Sequence, residues 1–150
     1  MKLSGNSHRT LEIFFREFLQ DESFTLPFTL FYTGKFSKIL TLFLSTNGIT
    51  VGRRVFIMPQ LVSRNRKNQK KLPEDLIVHE ITHVIQYKKA GFGKFLYVYL
   101  RDYWRNLRKK GKWDSASRRN AYLEIPFEIE AREAAQKFLE WNEKRKVEIK

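Results

Sequence analysis

Cysteine is missing from this chain of 150 residues, and histidine occurs only 3 times. Without thiols there are no disulfides and no thiolate ligands, so any bound metal must rest on histidine, carboxylate or water. Long apolar runs are missing too: none approaches the roughly 18 residues that crossing a bilayer requires. The opening stretch MKLSGNSHRT has no apolar segment behind its lysine, unlike a secretory leader. These absences point to a soluble, cytoplasmic protein without a membrane span, with export by a leaderless route still compatible. No internal repeat or low-complexity segment breaks the chain. Its 42% hydrophobic and 15% aromatic content suits one compact domain over 1–150 with a modest core.

Acidic residues are the other shortage. Asp+Glu number 16 against 29 Lys+Arg, a net charge of +13, so the surface should attract nucleic acid, anionic lipid or acidic protein. The basic residues gather in RNRKNQKK (64–71), RNLRKKGK (105–112), Arg118-Arg119 and KRK near the end. The plain reading is solvated linkers and helix ends. The sharper one is a nucleic-acid surface, because YLRDYWRNLRKKGKW (99–113) offers base stacking and phosphate contacts from one stretch. Against it, a helix there would turn its aromatic side to the core.

Periodicity divides the chain into elements. Thr10 caps a helix with Leu11, Phe14, Phe15, Phe18 and Leu19 at helical spacing, ending near Asp21. FTLFY reads as a short strand and 35–44 as a helix; Asn47-Gly48 signals a turn, and a strand pair follows in ITV and RVFIM about Gly52. After a basic linker (63–71), Pro73-Glu74-Asp75 opens a helix that Gly91 closes. A second helix, about 92–110, should bury Phe95, Leu96, Tyr99, Leu100, Tyr103 and Leu107 and end at Gly111. A polar connection leads to a last helix opened by Pro126, with Ala131, Ala134, Ala135, Phe138 and Leu139 on its apolar side. The class is α+β, mostly helical with a small sheet.

Two of the three histidines fall in LIVHEITHVIQY (76–87), as His79-Glu80-Ile81-Thr82-His83 on the helix that Pro73 opens. Four residues apart on a helix, the imidazoles lie roughly 40° apart in azimuth and about 5–6 Å apart, near enough to converge on one ion. Glu80 falls to one side, where a carboxylate reaches water at the metal's open position rather than the metal. That helix is apolar on nearly every side, so it belongs inside the domain, where a buried His-Glu-His set needs a partner for each polar group. A zinc ion supplies one; two satisfied core histidines are the bland alternative.

A catalytic zinc takes a third protein ligand. His8 lies far off in the N-terminal segment, which leaves Glu124, Glu128, Glu130 and Glu133 in NAYLEIPFEIEAREAA. Glu128 shares its helix face with Ala131 and Ala135, whose small side chains permit a close approach to the histidine helix. Glu130 points nearly the opposite way, and for it, Glu124 and Glu133 a surface role is the expectation.

The pattern His-Glu-x-x-His followed tens of residues later by Glu-x-x-Ala resembles the gluzincin metallopeptidases. In its short form, through NGITVGRRVFIM, LIVHEITHVIQYKKAGFGKFLYVYL and AYLEIPFEIEAREAA, it is similar to the minigluzincins and to small bacterial proteins of the eCIS-core metallopeptidase type, over about 47–138. The resemblance implies a zincin-like fold whose sheet presents an edge strand beside the active-site helix, here about 53–58, on which an extended peptide or protein substrate pairs. It implies zinc on His79, His83 and Glu128, with Glu80 as general base. Tyr122 would stabilise the oxyanion, unless it is a core or rim aromatic. One departure stands out: many gluzincins have an aspartate, which orients a zinc-bound histidine, four residues after the ligand glutamate. This chain has Arg132 there.

Overall fold

A computed structural model describes residues 1–43, 46–64 and 70–148. Helix α1 (Gly5–Leu19) starts ahead of Thr10, because the Ser4 hydroxyl accepts the Ser7 N–H at 3.1 Å and caps it there. Strand β1 (Leu30–Tyr32) is followed by α2 (Lys35–Phe43), and residue 44 of the expected helix lies outside the described residues. Strands β2 (Gly48–Val51) and β3 (Arg54–Ile57) form the hairpin read from the sequence, turned by Gly52 at φ 60°.

The sheet order is β1-β3-β2, with β1 parallel and β2 antiparallel to β3. The expectation that 53–58 forms an edge is therefore corrected. Phe31 of β1 pairs with Val55, so β3 has a neighbour on both sides, and the edge bordering the histidine helix is β2. The basic linker is also more ordered at its flanks than expected: β4 (Ser63–Arg64) and β5 (Lys70–Lys71) pair antiparallel, with 65–69 outside the described residues.

Four helices complete the chain: α3 (Glu74–Ala90), α4 (Phe92–Lys110), α5 (Ser115–Leu123) and α6 (Pro126–Glu148). Gly91 (φ 80°) and Gly111 (φ 66°) take the positive-φ positions that end α3 and α4. Helix α5 stands where a polar connection was expected. Asp114 caps it by accepting the Ser117 N–H at 2.7 Å, and SASRRNAYL buries only Ala121, so no amphipathic period announces it. On α4, Phe95 and Leu107 are buried as expected, but Leu96 and Leu100 are exposed and Asp102 and Asn106 take the inner face.

The core runs from Leu11, Phe14 and Phe15 of α1 through Phe31, Val55 and Ile57 of the sheet to Val78, Ile81, Val84 and Ile85 of α3 and Ala134, Ala135 and Phe138 of α6. Helix α3 thus lies between the sheet and α6, its most extensive partner. No described helix is long and apolar enough to cross a membrane.

Candidate metal centre

Helix α3 sets His79 and His83 one turn apart, and α6 brings Glu128 to them from its first turn. The close approach rests on fully buried Ala131 and Ala134. The two Nε2 atoms are 3.2 Å apart; Glu128 Oε2 lies 3.3 Å from His79 Nε2, and Glu128 Oε1 3.2 Å from His83 Nε2. Among the described residues this is the cluster that could hold a metal ion. Glu128 is 2% exposed, and its Oε2 is the one buried side-chain polar atom there without a hydrogen-bond partner. A buried carboxylate oxygen is not left so without cost, and a cation would satisfy it.

The protonation pattern follows from Gln86. Its Nε2 donates to the Phe127 carbonyl at 3.1 Å and to Glu130 Oε2 at 2.8 Å, which fixes which end of the amide is oxygen. That Oε1 faces His83 Nδ1 at 2.8 Å, so Nδ1 carries the proton and the Nε2 lone pair points into the cluster. Glu130 is thereby corrected from a surface carboxylate to part of the support of His83. Glu124 and Glu133 do sit on the surface, paired with Lys110 and Lys137.

Electrostatics point the same way. Burial opposes ionisation of Glu128, yet the imidazoles of His79 and His83 that face its carboxylate outweigh it and hold the carboxyl well below its usual range. Burial likewise disfavours charge on His83, and the Glu128 carboxylate facing its Nε2 overcomes that and raises the imidazole, favouring a proton where a cation would otherwise sit. Both directions describe a spot that calls for positive charge.

Glu80, 3% exposed, is clamped by the edge strand. The Thr50 hydroxyl donates to its Oε2 at 2.7 Å, and Gly48 lies so close to the carboxylate that a Cβ there would meet Cδ at 2.8 Å and overlap Oε1. Burial raises the Glu80 pKa, and the charges of His83 and His79 draw it back. Burial first, then the charge and hydrogen bonding of Glu128 and the charge of Glu80, raise the half-buried Tyr122 phenol above its usual range. Arg132 donates instead to the Leu123 carbonyl and ties the end of α5 to α6.

Sequence reasoning missed Gln86, Thr50, Gly48 and Tyr99, whose hydroxyl donates to Glu128 Oε1 at 2.6 Å. Gln86 was the most accessible of these, three residues after His83 on the same helix face, where an orienting partner is to be sought. No protein-family model, curated protein or solved structure matches the chain.

Proposed function

We propose that this chain is a zincin-like zinc metallopeptidase hydrolysing extended peptides or proteins. The observation that carries the reading is the convergence of His79, His83 and Glu128 around an unpartnered buried oxygen, with Glu80 beside them. Zinc suits the set: donors about 2.0–2.1 Å from an ion at the tetrahedral angle stand roughly 3.3–3.4 Å apart, near the 3.2 Å between the two Nε2 atoms and the 3.3 Å from His79 Nε2 to the unpartnered Glu128 Oε2. When bound, zinc supplies Lewis acidity, polarising a carbonyl and acidifying water.

The residues perform the remaining work. Glu80 takes a proton from the attacking water and delivers it to the amide nitrogen that leaves. Thr50 and Gly48 fix its carboxylate in place, and Gln86 keeps the His83 lone pair aimed inward. Tyr122, whose hydroxyl interacts with Glu128 as that of Tyr99 does, is the donor assigned to the developing oxyanion. The extended substrate pairs with β2, the edge strand next to α3, where main-chain hydrogen bonds hold it and side-chain pockets select it. Digestion of a peptide library by the zinc-loaded chain tests this: internal cleavage abolished by a chelator supports it, and intact peptides with a fully loaded site contradict it.

The clamp on Glu80 gives a steric prediction. Gly48→Ala would set a methyl group against the carboxylate and displace it, and a misplacement near 1 Å costs about 100-fold in rate. Turnover should fall on that scale at unchanged zinc content; wild-type turnover would show that Glu80 is not held where the reaction needs it.

A further inference from the structure

The strongest feature outside the metal centre is a cleft of about 970 Å³ lined by Arg101, Trp104, Arg105, Arg108, Lys109 and Trp113. Its residues on α4 follow i, i+3, i+4, i+7 and i+8 spacing, a single stripe flanked on its inner side by the buried Asp102 and Asn106. Over eight residues the stripe extends about 12 Å. Trp104 and Trp113 are 45% and 62% exposed, so these aromatics do not serve the core. Their rings stand 5.6 Å apart at 49°, and Gly111, in its left-handed conformation, turns the chain so that Trp113 comes back beside α4.

The cationic groups are partly pre-positioned. Buried Asp102 holds Arg101 through Nη2 at 2.9 Å and Arg105 through Nη2 at 3.3 Å, fixing two guanidinium groups with one carboxylate. Arg108 and Lys109 make no ion pair among the described residues, and the neighbouring Asp114 is engaged in capping α5. Four cations over one acid, with two accessible indoles between them, match a polyanion that carries flat π faces.

We infer that this cleft binds single-stranded nucleic acid, with bases stacked on Trp104 and Trp113 and phosphates on Arg101, Arg105, Arg108 and Lys109. Exposed Phe92, Leu96 and Leu100 continue the α4 surface and make an anionic bilayer the rival occupant. A bilayer, however, takes a continuous apolar surface, and here the two indoles lean against each other within a lining whose other four side chains are cationic. The surface is independent of the metal centre, and it accounts for part of the +13 charge that peptide hydrolysis leaves unexplained.

The test is fluorescence anisotropy of labelled oligo(dT) with the full chain across a salt series, with phosphatidylserine vesicles as a parallel arm. Binding is expected at low salt, with log affinity falling against log salt by about 0.7 per phosphate neutralised, a slope up to roughly −2.8 for four basic groups. Trp113→Ala, on an exposed side chain, should weaken binding about 5- to 150-fold at unchanged zinc content. Arg105→Ala with Arg108→Ala should lower the slope by about 1.4. Absence of oligonucleotide binding at low salt, binding indifferent to Trp113→Ala, or binding to vesicles alone would each overturn the inference.

Discussion

Glu80→Gln is expected to suppress peptide hydrolysis by about 10²–10⁴-fold, the usual contribution of a positioned general base, while leaving the bound zinc in place. The substitution keeps the shape of a side chain that is 3% exposed and lets Thr50 still donate to its carbonyl oxygen, so the fold has no reason to change. What disappears is the proton acceptor. Burial lifts the Glu80 pKa above the ordinary carboxylate value against the pull of His83 and His79, and this makes the native group a better base than a solvated glutamate. Zinc content and activity are therefore expected to separate in this variant. Turnover that survived at the native rate would assign proton transfer to another group.

Gln86→Leu is expected to weaken zinc binding by about 10- to 100-fold, the range for removing a partner that orients a ligand histidine. The native amide accepts from His83 Nδ1 and donates to Phe127 and Glu130, linking α3 to the first turn of α6 at the site itself. Leucine abandons all three groups in a region where an unsatisfied buried partner costs about 1–3 kcal/mol, so the melting temperature should fall as well. Gln86→Glu keeps the acceptor for His83 but loses the donors and sets a carboxylate against Glu130, and an intermediate affinity is expected. Competition against a chromogenic chelator measures both variants. Unchanged affinity in Gln86→Leu would mean that His83 is oriented by packing alone.

These supporting groups mark the boundary of what the sequence reveals. His79, Glu80 and His83 stand out because Pro73-Glu74-Asp75 and Gly91 bracket their helix with local signals, and Pro126 does the same for the helix of Glu128. The strand order is different in kind. That β3 is central depends on its pairing with β1, from a segment more than 20 residues earlier, and alternation within RVFIM carries no trace of that pairing. Tyr99 reaches Glu128 only because α4 crosses the site, and Thr50 meets Glu80 only because β2 lies along α3. Helix α5 has no periodic apolar face to announce it, and its Asp114 cap becomes meaningful only once Asn106 and Ala121 are seen to join it to α4. Arg132, in the place where the metallopeptidases whose sequence pattern the chain resembles have an orienting aspartate, is explained by the same logic: Gln86 orients His83 in this chain, which frees position 132 to secure α5.

Metal content by mass spectrometry, on the chain purified without added metal and without a histidine-rich tag, tests the metal centre most directly. The expected result is about one zinc per chain, as three protein ligands and one open position require, and a large loss in Glu128→Ala with the helical content retained. A folded native chain that stayed free of zinc when zinc was supplied, or a Glu128→Ala chain that kept its full complement, would contradict the assignment of His79, His83 and Glu128 as a zinc site.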